Sequence, residues 1–516
     1  MGDQQDKSNQ QLLKRVSTVG IWTLLSRVLG FVRDVLIARV LGAGMLADAF
    51  FVAFKLPNFF RRIFAEGSFT VALVPVLAEQ KEKGEEEVHQ YLNAMAGLLL
   101  LSLLVFTVLG MLLMPWLLLA FAPGFADEPN RWQQTLTLAR WMFPYLALIS
   151  LTAMAWAVLN AYRKFAVPAA TPVLLNVGMI IGAVCFAPMM ESPALALAWG
   201  VLLGGVMQLA VQFPALKAIG WVPRPRLNFR LPAIARTMRL FFPAVLGTSA
   251  VQINILIGTA LATLLPVGAV SYLYYADRIV QLPLGLFGIA MGTALLPALS
   301  SHFAAGQKEK ALSDLRHGLV WLSWICIPAM VGIFLLAEPV VMTLFEHGAF
   351  SHRDTIATTQ TLLMYAVGLL CFCWVKILAT ACYAQHEAKA PTRFAVISVG
   401  ANIGFALILL ESMQHLGLAL ATSLSSLINV LLLIHFLQNR HGKLFGVQAL
   451  QRMLKAVLAV VPMIVYLLLV EMLWSFPLQG VLYQGLWLGL MVGGGCGLYA
   501  CIAHWMGEPL FRFKRA

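Results

Sequence analysis

The sequence predicts an all-α membrane protein with about fourteen transmembrane helices. Three observations lead to this fold class: an apolar composition, long uninterrupted apolar runs, and a one-sided distribution of basic residues. Of the 516 residues, 60% are hydrophobic and 11% are charged, whereas soluble domains contain about 25% charged residues. No soluble fold can bury so much apolar surface, so lipid must solvate most of the chain.

The apolar runs are too long and too continuous to be the strands of a membrane barrel. A spanning helix needs about 20 apolar residues, whereas a barrel strand needs about ten of alternating polarity. The breaks between the runs are short and leave no extramembrane domain that could hold an enzyme active site. The predicted spans, helices 1 to 14, are 16–41, 45–77, 91–120, 134–160, 166–190, 193–217, 238–264, 268–300, 316–345, 356–384, 391–411, 416–438, 452–474 and 478–506.

The basic residues predict the orientation of the chain in the membrane. Of the 36 lysines and arginines, 25 lie in segments on the side of the membrane that holds the N-terminus, and eight lie within spans. The remaining three, on the opposite side of the membrane, are Arg131, Arg140 and Arg353. Because cytoplasmic segments carry the excess of basic residues, both termini are expected in the cytoplasm. The same rule accounts for the net charge of +13 without a nucleic-acid partner.

Neither the N-terminus nor the cysteines indicate a secreted protein. The first apolar run carries Arg27, Arg33 and Asp34 and lacks a small-residue cleavage site, so it is expected to be retained as helix 1. The seven cysteines lie in or beside apolar runs, and their odd number argues against a disulfide framework.

An internal repeat predicts two lobes of six helices each. The Leu-Pro pair at 56–57 recurs at 282–283, and the asparagine at 176 recurs at 402, each 226 residues later. An even number of helices separates the copies, so the repeat is parallel and a site is expected between the halves. The predicted domains are an N-lobe of helices 1–6 (1–235), a C-lobe of helices 7–12 (236–445) and two extra helices, 13 and 14 (446–516).

Charged residues inside helices 1 and 2 predict a polar cavity. An arginine or aspartate at a span centre costs roughly 2.5–3.5 kcal/mol, so such residues usually face a cavity or a partner. Arg27 and Asp34 are seven residues apart and therefore share one stripe of helix 1. The candidate site residues on these two helices are Ser26, Arg27, Arg33, Asp34, Asp48, Lys55, Asn58, Arg61 and Arg62.

Helix 8 adds Asp277, Arg278 and Gln281 to the candidate site. The alternative interpretation is that the charges only pair with one another, Arg33 with Asp48 or Arg278 with Asp277. Against it, six cations face three aspartates across the three helices. A surplus of cations in a low-dielectric cavity favours an anion, and guanidinium groups bind phosphate or carboxylate through two hydrogen bonds. We therefore expect a polyanionic ligand.

A metal site is a weaker hypothesis. Glu346, His347, His352 and Asp354 cluster in one short extracytoplasmic loop. We interpret this cluster as a solvated loop rather than as a set of metal ligands.

Three segments resemble the MurJ (MviN) family of lipid II flippases, which belongs to the multidrug/oligosaccharidyl-lipid/polysaccharide (MOP) exporter superfamily. They are SRVLGFVRD (26–34), DAFFVAFKLPNFFRRIFAEGSF (48–69) and YYADR (274–278). The resemblance covers nearly the whole chain, including the two extra C-terminal helices. It implies the two-lobed MOP exporter fold with a cationic cavity lined by helices 1, 2, 7 and 8. The arginines that function in the family correspond to Arg27, Arg33, Arg61 and Arg278.

The resemblance also implies a function and partners. The protein would be a transporter without a cofactor, located in the bacterial cytoplasmic (inner) membrane. It would flip undecaprenyl-diphosphate disaccharide-pentapeptide (lipid II) from the inner to the outer leaflet by alternating access, for cell wall synthesis. Its partners would be lipid II, membrane lipids and the machinery of wall synthesis and division. Some members bind sodium between helices 7 and 11, but the sequence has no acidic ligand set at 238–264 or 391–411, so we expect no metal site.

Two other classes of function remain open. A multidrug exporter of the same superfamily should favour buried carboxylates over arginines, and another polyprenyl-linked oligosaccharide would carry the same diphosphate. A membrane enzyme acting on lipid-linked sugars would need catalytic carboxylates, usually in long extracytoplasmic loops. The loops here are short, and Glu338 and Glu471 are isolated.

Overall fold

The computed structural model describes residues 2–228, 230–477 and 480–508, with the side chains of all of these except residues 2–17, 64–67 and 246–251. Its secondary structure consists of fourteen helical segments in the described part of the chain. We label them α1 to α14. The first seven are α1 (Gly2–Leu41), α2 (45–83), α3 (Glu85–Leu112, followed by Met114–Phe121), α4 (Pro129–Ala161), α5 (Ala166–Met189), α6 (Pro193–Ala218) and α7 (Pro232–Thr263).

The other seven segments complete the chain. They are α8 (Ala269–Ala304), α9 (Lys308–Phe345), α10 (His352–Ala366 and Leu369–Tyr383), α11 and α12 (both within Lys389–His441), α13 (Val447–Leu473) and α14 (Val481–Trp505). The two parts of α10 are bent by 42°. Gln414, with φ 49° and ψ −128°, separates α11 from α12.

The predicted all-α membrane fold is confirmed, and each predicted span has its helix. In the described part of the chain, nine helices are long and apolar enough to cross a membrane, or ten with the bent α10; Lys389–His441 counts as one of them. Helices α1, α2 and α7 fall outside this set: α1 and α2 carry the charges of the candidate site, and of α7 only the shorter apolar part Gln252–Thr263 is counted among the described residues. Several helices begin before the predicted apolar run, as α9 does at Lys308 rather than at 316, because polar residues continue a helix into water.

The chain packs as two compact units. Unit 1 comprises Met1–Ser271 with Gly348–Phe350, and unit 2 comprises Tyr272–His347 with Ser351–Ala516. Helix α7 thus packs with α1–α6. The predicted lobe boundaries at 235 and 445 rest on the repeat and stay a prediction.

Glycines bring α5 and α6 of unit 1 into close contact. A Cβ at Gly178 would lie 2.5 Å from the Cα of Gly204, and a Cβ at Gly200 would lie 2.8 Å from the Gly178 carbonyl oxygen. Only small residues permit such an approach between membrane helices. This packing fixes α5, whose Asn176 contacts α1.

In unit 2, α13 and α14 pack against α9. Trp324 of α9, Met463 of α13 and Trp487 of α14 are all buried in one apolar cluster. The indole Nε1 of Trp487 donates to the Trp474 carbonyl oxygen at 2.8 Å, which joins the end of α13 to α14. The two extra helices are therefore an integral part of unit 2.

Helices α2 and α8 share a local irregularity. Each changes from α-helical to π-helical hydrogen bonding shortly after its Leu-Pro pair, α2 at Arg62–Phe69 and α8 at Leu284–Ile289. Such π-helical turns occur frequently at functional sites. Both helices carry candidate site residues.

Candidate functional site

Arg33 of α1 is held in a buried polar cluster. Its Nε and Nη2 donate to Asp34 Oδ1 at 3.0 and 2.7 Å, and its Nη1 donates to Asn176 Oδ1 at 2.9 Å. Asn176 in turn donates to the Ser26 carbonyl oxygen at 2.9 Å. Arg33 is 9% exposed and Asp34 2%. The structure thus brings together three predicted site residues and adds Asn176, which the sequence analysis identified only as a repeat position.

Asp48, at the start of α2, accepts hydrogen bonds from three segments of unit 1. The donors are Arg131 Nη2 at 2.7 Å, Gly268 N at 2.7 Å, Ser271 N at 2.9 Å and Ser271 Oγ at 2.6 Å. The side chains of Asp48 and Arg131 are both 0% exposed. We call these four residues the Asp48 cluster.

The partner of Asp48 is therefore not the one that the sequence analysis considered. Arg131 was assigned to a loop, and Arg33 was the alternative partner. No sequence signal could identify Arg131, because it lies 83 residues from Asp48 in another helix. Closure of the cluster ties the first turns of α2, α4 and α8 together.

The remaining candidates on α2 follow one face of the helix. Lys55 Nζ donates to Thr259 Oγ1 of α7 at 3.2 Å, and Asn58 Nδ2 donates to the Phe54 carbonyl oxygen at 2.8 Å. Arg62 lies one turn further along the same stripe and is exposed, whereas the neighbouring Arg61 is partly buried. Arg61 and Arg62 thus lie where α2 changes to π-helical hydrogen bonding.

Arg27 of α1 differs from the other candidates in its surroundings. It is exposed and makes no hydrogen bond or ion pair with the residues that the structure describes. Its guanidinium is therefore accessible from outside unit 1.

The candidates of α8 form a short network within unit 2. Arg278 Nη1 donates to Gln281 Oε1 at 3.5 Å, and Gln281 Nε2 donates to Asp277 Oδ2. The guanidinium carbon of Arg278 lies 4.6 Å from the centroid of the Tyr274 ring, within the range of a cation–π contact. Gln281 thus hydrogen-bonds to both Asp277 and Arg278, and the Tyr274 ring contacts the guanidinium of Arg278.

The polar loop at 346–354 has a structural role. Ser351 and Asp354 form a capping box at the start of α10, and Asp354 accepts a hydrogen bond from Tyr272 at 3.0 Å. Glu346 accepts from Thr355 at 2.6 Å and contacts His352. Within the described ranges, no three His, Cys, Asp or Glu side chains are grouped as metal ligands.

Within unit 1, each candidate aspartate is paired with an arginine. Basic side chains project from α1, α2 and α8, while Asp34 and Asp48 are occupied by their own arginine partners. The twelve candidate residues remain a predicted binding site.

Comparisons with known proteins identify the family. The profile of the family described as "Lipid II flippase MurJ" matches residues 37–484. A "Probable lipid II flippase MurJ" from Vibrio cholerae is 37% identical over 522 residues, with 98% of each chain covered. A "Lipid II flippase MurJ" from Burkholderia cenocepacia is 38% identical over 437 residues, covering 83% of this chain and 84% of the relative.

Solved structures agree with the sequence relatives. A structure titled "Lipid II flippase MurJ, inward closed conformation" matches with a TM-score of 0.80 and 27% identity, covering 96% of this chain and 99% of that one. An inward-facing multidrug transporter of the MATE family, from the MOP superfamily, matches with a TM-score of 0.66 and 14% identity, covering 81% and 95%. This second likeness concerns the fold alone. The family match over most of the chain is decisive: this protein belongs to the MurJ family of lipid II flippases.

Proposed function

We propose that this protein flips lipid II from the cytoplasmic to the outer leaflet of the bacterial inner membrane by alternating access. The observation that carries the proposal is the set of basic residues on α1, α2 and α8 in a chain of this family. A diphosphate that leaves water loses its hydration, and arginines replace it with charge-assisted hydrogen bonds. The polyprenyl tail can remain in lipid throughout.

The candidate residues would have different roles, some in substrate binding and some in holding the helices. Arg27, Arg61, Arg62 and Arg278 would bind the diphosphate and the acidic groups of the headgroup. Arg33, paired with Asp34 and bonded to Asn176, would hold a fixed guanidinium whose remaining hydrogen-bonding capacity faces the headgroup. Asp48 would act by holding α2, α4 and α8 together rather than by touching the substrate.

The proposal includes a topology, a class of protein and a functional setting. Both termini lie in the cytoplasm, because 25 of the 36 basic residues lie on that side. The chain acts as a transporter and leaves its substrate chemically unchanged. It supplies lipid II to the enzymes that build the wall during growth and division.

A reconstituted transport assay tests the function directly. Purified protein in liposomes should expose fluorescent lipid II to a membrane-impermeant reagent, while protein-free liposomes should not. Replacing Arg27, Arg61 or Arg278 with alanine should slow this step by at least about tenfold, since a hydrogen bond to a charged group contributes about 1.5–3 kcal/mol. Lysine should restore only part of the rate, because it lacks the planar fork.

A matched control separates the binding site from charge in general. Arg140 is exposed and donates to the Met111 carbonyl oxygen at 3.3 Å, outside the candidate site, so Arg140→Ala should leave transport unchanged. Full transport by all three site variants would contradict the proposed site. Transport of cationic drugs without transport of lipid II would favour the multidrug alternative.

Depletion in cells distinguishes a flippase from an enzyme. Without the flippase, intact lipid II should accumulate in the inner leaflet, in a strain that has no second flippase. Loss of an enzyme that makes the precursor would instead cause an earlier intermediate to accumulate. A normal pool of lipid II with normal access from outside would refute the function.

A further inference from the structure

An extended segment between α6 and α7 is fixed against α3. We call residues 221–228 the strap. Trp221 Nε1 and Arg224 N both donate to Asn93 Oδ1, at 3.1 and 3.0 Å, and Arg226 N donates to the Asn93 carbonyl oxygen at 3.0 Å. A Cβ at Gly97 would lie 2.3 Å from the Arg226 carbonyl oxygen, so the strap touches the backbone of α3. Its position is thus set by several contacts.

An apolar cavity of about 240 Å³ lies against the strap. Its walls come from α3, α4, α6 and the strap, and include Leu100, Met154, Phe213, Trp221, Pro223 and Pro225. Leu100 is 45% exposed and Phe213 49%, so the mouth of the cavity is on the surface that faces lipid. The cavity is therefore accessible to a hydrocarbon chain from the bilayer.

One wall of this cavity contains an unsatisfied polar atom. Gln212 is 0% exposed, and its Nε2 donates to Thr171 Oγ1 at 2.8 Å. Its Oε1 has no hydrogen-bond partner among the described residues. Because Gln212 has no exposed surface, this acceptor does not contact an occupant of the cavity, and the rest of the lining is apolar.

The outer side of the strap is cationic. Trp221, Pro223 and Pro225 line the cavity, while Arg224 and Arg226 alternate with them and are exposed. In the described part of the chain, neither guanidinium makes a hydrogen bond or an ion pair with protein. An apolar cavity bounded by a segment that also carries two exposed arginines matches the two chemical parts of an anionic lipid.

We propose that this cavity binds one anionic phospholipid of the cytoplasmic leaflet. An acyl chain occupies the cavity, and the phosphate lies at Arg224 and Arg226. The position of the cavity across the membrane agrees with a lipid of this leaflet. The cavity lies at the ends of α4 and α6, and the distribution of basic residues predicts that these ends are on the cytoplasmic side. The site is separate from the candidate substrate site, and it does not depend on the proposed transport activity.

Photocrosslinking in membranes of defined composition tests the proposal. The full-length protein is reconstituted in phosphatidylcholine vesicles with a trace of phosphatidylglycerol that carries a photoreactive acyl chain. Mass spectrometry should find the label in the peptides around Leu100, Met154 and Phe213. The variant R224Q/R226Q should lose about tenfold or more of this label, because each basic residue near an anionic membrane surface contributes to binding. Leu100→Trp, which fills the mouth, should also lose it.

Matched controls make both losses interpretable. K308Q/K310Q removes two exposed charges from another cytoplasmic segment, and Leu104→Trp changes a 61% exposed position one turn along α3, outside the cavity. Both should retain the label. Equal labelling by phosphatidylcholine, or equal loss in the K308Q/K310Q control, would show only general lipid contact and overturn the site. Displacement of the label by a polyprenyl phosphate, but not by unlabelled phosphatidylglycerol, would overturn the assigned occupant.

Discussion

Replacing Asp48 with asparagine tests whether the Asp48 cluster stabilises unit 1. Asparagine has nearly the same shape as aspartate but lacks the negative charge that pairs with Arg131. Its amide nitrogen replaces one carboxylate oxygen, and this nitrogen cannot accept the hydrogen bonds that Arg131, Gly268 and Ser271 donate. Asp48 and Arg131 are both 0% exposed and 2.7 Å apart, so no water can replace the lost partner. Removing one partner of a buried ion pair costs about 3–5 kcal/mol.

The assay is thermal unfolding of the purified protein in detergent. At roughly 2 °C per kcal/mol, Asp48→Asn should lower the Tm by about 6–10 °C. Glu128→Gln is the matched control, because Glu128 lies 3.2 Å from the same arginine but is 47% exposed. An exposed pair contributes about 0–1 kcal/mol, so its Tm should change by no more than about 2 °C.

A double variant gives the decisive comparison. In D48N/R131Q, the loss of stability should be smaller than the sum of the two single losses, since both single changes break the same pair. If Asp48→Asn lowered the Tm no more than Glu128→Gln does, the buried pair would not hold these helices together and the reasoning would be wrong.

Three further predictions concern topology, the α1 contact and helix packing. In a cysteine-free background, a cysteine at Gln307 should be protected from impermeant thiol reagents in intact cells, and one at Arg353 should react; labelling at Gln307 would reverse the orientation. Asn176→Ala removes the side chain that hydrogen-bonds to α1, and should slow lipid II transport in liposomes while Asn176→Gln retains part of it; unchanged transport in the alanine variant would exclude a role. Gly178→Leu should lower the Tm and the yield of folded protein, because overpacking costs about 1–3 kcal/mol or more against Gly204; a wild-type Tm would contradict the close approach.

The sequence alone predicted most of the fold, and one physical reason explains this. Partition between lipid and water depends on local composition, so apolar runs of about 20 residues identify helices without any tertiary information. In the structure, the non-helical backbone of Gln414 separates α11 from α12. The sequence already predicted this break as the gap between the apolar runs 391–411 and 416–438. The charges on α1, α2 and α8 were found in the same way, because charged residues inside apolar runs are rare.

Only the tertiary structure decided which partners these charges have. Arg33 contacts Asn176, 143 residues away, and Asp48 contacts Arg131, 83 residues away. Hydropathy indicates that a residue lies in the membrane, but the partner depends on how distant helices pack. The cavity beside the strap has the same origin, since it forms only when α3, α4, α6 and residues 221–228 come together. The sequence thus determined the helices, their predicted orientation and the positions of the charges, whereas helix packing decided which distant side chains Arg33 and Asp48 contact.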